Sequence, residues 1–309
     1  MLQYLIILLD DTSTSFCHYE NTKTGRKLIP IETLKQGIRF GMMENLMIQF
    51  VYPDYELPEE YKEAIESIDH SKIKPMPTDA DVLVLSEWNL PTDCVDVPIV
   101  LRTSKAESFS RYKEMEDVLK KCTRLNIVIT DIDTFREEDF DTYKTVLAEL
   151  ADTLKTLYVG GKAPQLNILT DRMMLKDMNN CGAGDTTITL APNGKFYVCP
   201  AFYYEDEADS IGDHEHGLDI RNKQLYKLEY APICRKCDAY QCKRCVWLNR
   251  KTTLEVNTPS HEQCVVAHLE RNVSRELMND IRKHGTFLPE NEEIKEIDYL
   301  DPFDIKEQW

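Results

Sequence analysis

Cysteine placement is the strongest chemical signal in the chain. Seven of the ten cysteines lie between Cys181 and Cys264, with turn residues among them. Four of these, Cys234, Cys237, Cys242 and Cys245, form a Cys-x2-Cys-x4-Cys-x2-Cys quartet within twelve residues. Thiolates at that density ligate soft metals. One zinc fits the quartet alone poorly, because two zinc knuckles are ordinarily a dozen or more residues apart. Iron–sulfur clusters use shorter and more varied spacings. Arg235, Lys236, Lys243 and Arg244 stand between the thiols. Their positive charge favours the ligating thiolate and offsets part of the charge of a thiolate-bound cluster. Zinc and iron–sulfur both remain open from donor chemistry. A disulfide-stapled secreted domain is disfavoured, since no export signal opens the sequence and Cys-x2-Cys pairs make poor disulfides in a large chain.

These thiols need elements to hold them. Residues 186–190 (TTITL) and 195–198 (KFYV) are β-branched and aromatic runs joined by Ala191-Pro192-Asn193-Gly194, a strong turn signal. The expected hairpin carries Cys181 before its first strand and Cys199 after its second, so folding brings the two together.

The full pattern is Cys-x12-Gly-x4-Cys, then the quartet, then Cys264. It resembles the SPASM domain at the C-terminus of radical SAM peptide-modifying enzymes, and residues 211–222 (IGDHEHGLDIRN) look like the connector those domains carry before the quartet. The resemblance implies one or two auxiliary [4Fe-4S] clusters, with zinc as the alternative. By position, Cys181, Cys199 and Cys245 would serve the first and Cys234, Cys237, Cys242 and Cys264 the second. The quartet gaps are slightly tighter than the family's, and no upstream cysteine offers itself as a further ligand for the first cluster.

Upstream, strand-like runs at 4–9, 46–51, 81–85, 97–101, 125–130 and 165–169 alternate with helical patterns at 31–43, 58–68, 108–122 and 136–157. Such alternation implies an α/β architecture with a parallel sheet. Pattern alone leaves an open barrel and a doubly wound sheet as alternatives. The resemblance implies a partial (β/α)6 radical-SAM-like barrel over residues 1–178, a small Cys-rich SPASM domain over 179–272 and an acidic C-terminal segment over 273–309. In that family the loop after the first strand carries Cys-x3-Cys-x2-Cys. Aligning Cys17 with the third cysteine puts Asp10 and Thr14 at the other two positions. Val51-Tyr52-Pro53-Asp54 stands where the family has a Gly-Gly-Glu-Pro turn against the cofactor. The resemblance therefore implies a degenerate radical SAM domain that does not bind S-adenosylmethionine, with no catalytic residue assigned. The arrangement is similar to that of the maturases of CXXX-repeat peptides, which implies a cytoplasmic peptide-maturation protein acting on a Cys-rich precursor peptide, with a separate active radical SAM enzyme as a further partner.

Composition narrows the remainder. In 309 residues there are 54 acidic and 37 basic ones, a net charge of −17. That charge disfavours nucleic acid and anionic membranes as partners. The longest apolar run, within MLQYLIILLDD, is too short for a bilayer span and reads as a buried first strand. Cys94 and Cys122 read as ordinary buried thiols outside the resemblance, and Cys17 reads as one too where its alignment is set aside. Asp131, Asp133, Glu137, Glu138 and Asp139 read as a solvated loop and the acidic first turn of a helix. His214 and His216 read as an exposed connector, and Tyr158–Lys162 as a helix C-cap. Residues 289–309 hold eight acids against two lysines, with Tyr299, Phe303 and Trp309 among them, and read as a partly ordered tail.

Overall fold

The computed structural model describes residues 1–90, 96–285, 288 and 292–303, so Cys94 and Trp309 lie outside the described residues. The chain forms two compact units. The first comprises Met1–Ser86 and Cys181–Ala231, the second Glu87–Asn180 and Pro232–Trp309.

In the first unit, β1 (Tyr4–Leu8) is the apolar YLIIL run, buried along nearly its whole length. It is followed by α1 (Ile31–Met43), β2 (Met47–Val51), α2 (Glu59–Glu66), β3 (His70–Lys74) and β4 (Val82–Leu85). The return segment adds β8 (Thr187–Leu190) and β9 (Phe196–Tyr197), giving the order β4-β3-β2-β1-β8-β9. All neighbours are parallel except β8 and β9, which form the expected hairpin with Leu190 opposite Phe196. Its turn closes through Gly194, whose N–H donates to the Ala191 carbonyl at 2.9 Å and whose φ of +81° no β-branched residue would adopt. Helix α1 lies close on the sheet because Gly37 and Gly41 face it. A Cβ on Gly37 would come within 2.3 Å of Leu190 Cδ2, and one on Gly41 within 2.6 Å of Ile48 Cδ1. The short helix α7 (Pro200–Glu205) follows the hairpin, with proline at its first position.

The second unit holds β5 (Ile99–Thr103), α3 (Lys105–Ser110), α4 (Tyr112–Leu119), β6 (Arg124–Ile129), α5 (Glu137–Val159), β7 (Gln165–Leu166) and α6 (Thr170–Met174). Strands β5, β6 and β7 pair in parallel in that order. The quartet loop leads into α8 (Val246–Thr253), then α9 (His261–Arg282). Helix α9 starts at the Ser260 N-cap and packs on α5 through an almost continuously buried stripe. Residues 292–303 fold back onto α9: Ile294 is buried, Tyr299 meets the His268 ring edge-on at 5.6 Å, and Asp301 accepts from His261 Nδ1 at 2.5 Å.

Three local expectations change. Strand β3, HSKIK, is a strand although polar residues dominate it, because Lys72 is held by Asp79 at 2.6 Å and Glu66 at 2.5 Å while Ile73 enters the core. The helix expected over 108–122 is two helices divided at Arg111. The strand expected over 165–169 pairs only at Gln165–Leu166, because Thr170 Oγ1 accepts from the Leu166 N–H and α6 begins there.

Candidate metal centre

Four of the seven expected ligands line one cavity of the second unit. Cys234, Cys237, Cys242 and Cys264 surround a space of about 30 Å³ together with Arg244, Gln263 and His268. A short 3-10 turn at Cys234–Lys236 presents the first two thiols, and the Ala239 N–H donates to Cys237 Sγ at 3.4 Å. Cys264 arrives from the first turn of α9. One turn further on, His268 places Nε2 3.5 Å from Cys237 Sγ, while its Nδ1 bonds the Leu300 carbonyl.

Burial and the neighbouring thiols raise the pKa of these groups. Burial pushes the Cys242 thiol up to about 12, reinforced by Cys234 and Cys237. Burial carries Cys234 to about 11, against the opposing pull of Arg244. Cys264 is also raised, by burial and then by Cys242, Cys234 and Cys237. The donor chemistry, four sulfurs with a backbone N–H on one of them and a buried guanidinium nearby, fits a soft thiolate-bound metal. Among the described residues no group of three or more His, Cys, Asp or Glu side chains has the closed geometry of a bound ion.

Cys245 caps α8, its Sγ accepting from the Leu248 N–H at 3.5 Å. In the first unit the Cys181 carbonyl accepts from Thr187 Oγ1 at 3.3 Å, and Cys199 is the N-cap of α7. Burial raises the Cys199 thiol, followed by the charges of Cys181 and, more weakly, Cys17. Cys17 thus stands in the surroundings of this cysteine pair, which its place in the loop after β1 did not foretell. Cys122 is buried and its thiol is raised to about 11 by desolvation.

The loop after β1 is closed on itself and on α7. Asp10 is fully buried, with Oδ1 accepting from the Thr12 N–H at 2.8 Å, and the Thr14 N–H donates to the Tyr52 carbonyl at 3.0 Å. Asn21 Nδ2 bridges the Asp11 and Ser13 carbonyls at 2.9 Å each. Tyr203 donates to Asp11, Tyr19 stacks on Tyr204 at 5.5 Å, and Lys23 lies 4.3 Å over the Tyr203 ring. The other acidic and histidine motifs are occupied locally. Asp131 and Asp139 accept from the Lys105 N–H and Nζ, Asp133 pairs with Lys251, and His216 bonds Asp213 on an exposed turn.

Sequence reasoning missed Asp238, Arg271 and Arg172. Asp238 accepts from Arg271 Nε at 2.9 Å and Nη2 at 2.6 Å, and from Arg172 Nη2 at 3.3 Å. It also missed Glu270, whose carboxylate accepts from the Tyr143 hydroxyl at 2.7 Å and is pushed by burial up to about 7. The available signal was the spacing of Cys264, His268 and Arg271, which puts all three on one face of a helix.

The elements together build an α/β fold with parallel strands that solved structures share. Among the solved structures that the chain is similar to are those of anSMEcpe. With AdoMet and the Kp18Cys peptide bound, that protein aligns at a TM-score of 0.63 and 11% identity over 91% of this chain and 99% of its own. With AdoMet and the Cp18Cys peptide it gives 0.63 and 13% over the same shares. With AdoMet alone it gives 0.62 and 12%, again over 91% and 99%. No protein-family model and no curated protein matches the chain in sequence. Among the described residues no helix is long and apolar enough to cross a membrane.

Proposed function

We propose that the chain is a cytoplasmic peptide-maturation protein of the radical SAM/SPASM type that has lost the cluster which cleaves S-adenosylmethionine. The observation that carries this reading is the gathering of Cys234, Cys237, Cys242 and Cys264 around one cavity, on a fold shared with a solved protein that holds a peptide. In this reading the four thiols hold a [4Fe-4S] cluster, and Cys181, Cys199 and Cys245 contribute to another. Residues 1–178 act as the radical-SAM-like part, 179–272 as the SPASM part and 273–309 as the acidic tail. A bound cluster would relay electrons or ligate a peptide thiol. The chain's own residues hold its ligands in place: Ser260 caps the helix that brings Cys264, and the Ala239 N–H donates to the Cys237 sulfur. The precursor peptide is Cys-rich, of the CXXX-repeat kind, and a separate active radical SAM enzyme supplies the radical. Support for the lost SAM site comes from Asp10 and Thr14 standing at two thiol positions, and from the tyrosines packed against that loop.

One observation favours a second reading. The four sulfurs lining one cavity are also the complete donor set of a structural zinc site. The chain would then be a non-catalytic peptide-binding module stapled by zinc. Metal analysis and an absorption spectrum of anaerobically purified protein separate the two. Broad thiolate-to-iron absorption with bound iron supports the cluster, and colourless protein with zinc supports the module. Cys242→Ser and Cys264→Ser should each lower the metal content, and metal retained in full by both would remove this site from the reading. Reduced protein that releases 5′-deoxyadenosine catalytically would overturn the loss of the SAM site.

A further inference from the structure

Beside the thiol cavity, the second unit has a larger pocket of about 580 Å³ with two arginines in its floor. Arg271 is 0% exposed and Arg172 7% exposed. Both contact the single carboxylate of Asp238, Arg271 through two bonds and Arg172 through one longer bond. The Arg172 guanidinium carbon lies 4.3 Å from the Tyr240 ring centroid, and its buried Nε has no hydrogen-bond partner among the described residues. A guanidinium cannot shed its charge to suit a buried site. Two positive charges share one negative charge, which leaves a net cation in the lining of the pocket, costly unless something offsets it.

We infer that this pocket is a binding site for the carboxylate of a peptide, received by Arg172. A planar carboxylate matches the parallel N–H groups of a guanidinium. It also brings one negative charge, which neutralises the floor. A phosphate dianion would exceed that by one and face Glu292, Glu293 and Glu296 at the rim. The pocket is far larger than a carboxylate, so the ligand has a body beyond its head. The rim sets Lys176, Lys236 and Lys295 against the three glutamates, a mixed-sign surface that suits a polar backbone better than an apolar molecule. The inference deepens the peptide reading above and rests on it only for the identity of that body.

The test uses the full chain and three acetylated tripeptides by calorimetric titration: Gly-Gly-Ala as free acid, the same sequence as C-terminal amide, and Gly-Glu-Gly amide. The wild type should bind the free acid or the Glu peptide at least about tenfold tighter than the Gly-Gly-Ala amide. Which of the two binds tells a terminal from a side-chain carboxylate. Arg172→Gln, folded by its melting curve, should erase the discrimination, and Arg172→Lys should weaken it. Equal binding of all three by the wild type, or no saturable binding, overturns the inference without needing any variant. So does a folded Arg172→Gln that still discriminates, or inorganic phosphate displacing the peptide better than acetate does. Metal content is read on the same samples. Unchanged metal with no carboxylate binding removes this pocket alone, whereas absence of both iron and zinc removes the reading on which it rests.

Discussion

Asp238 shows how much one side chain can hold in this protein. Among the described residues its carboxylate is the only counter-charge contacting the guanidinium of Arg271, which is fully buried, and it also engages Arg172. Those cations keep its own pKa low against the opposing effect of burial. Asp238→Ala would strand both, and breaking a buried pair from one side costs about 3–5 kcal/mol. The denaturant midpoint should fall accordingly, and a loss under about 1 kcal/mol would mean that water already compensates these arginines. This trio was illegible in the sequence, where Arg172, Asp238 and Arg271 lie up to a hundred residues apart. Arginine is normally a surface residue, and only the fold reveals which ones are enclosed. The thiols were legible for the opposite reason, since ligand spacing is local and survives in the linear text.

Helix α9 and the segment returning over it form the element on which pH should act. Asp301 bonds His261 and raises its pKa above the ordinary 6.5. A raised histidine stabilises the folded contact fully below its unfolded pKa, and that contribution fades as pH rises through the folded value. Amide protection of residues 292–303 should therefore be higher at about pH 6 than at about pH 8.5. His261→Ala should flatten that dependence, and equal protection of the wild type at both values would refute the tie. Helix α1 offers a packing test. Gly37→Val would drive a branched side chain into Leu190, an overpacking that costs about 1–3 kcal/mol, and Leu190→Ala in the same chain should recover part of it. The β8–β9 hairpin was legible through its Asn-Gly turn and β-branched flanks. Strand β3 was not, because its lysines look solvated until Asp79 and Glu66 are seen beside Lys72.

At the scale of the whole chain, the two units are threaded through one another in sequence. The path leaves the first unit after Ser86, returns at Cys181 and leaves again after Ala231. The alternation of strands and helices made the α/β class readable, but nothing local announces that β1 takes a partner from beyond residue 180. A fragment of residues 1–86 would lack β8 and β9 and should show no cooperative melt by circular dichroism. Adding residues 181–231 as a separate peptide should restore one, and a cooperative melt of the first fragment alone would contradict this dependence.

The pairing of Tyr4 with Thr187 also sets a clock. Chains are synthesised at about 5–20 residues per second, so one edge of β1 waits on the order of ten seconds or more after its own synthesis for β8 to be made. During that interval an apolar YLIIL strand presents unpaired backbone groups on that side, the condition under which strands join the wrong neighbour. The nascent protein therefore depends, through the order in which its segments are made, on whatever shields that edge at the ribosome.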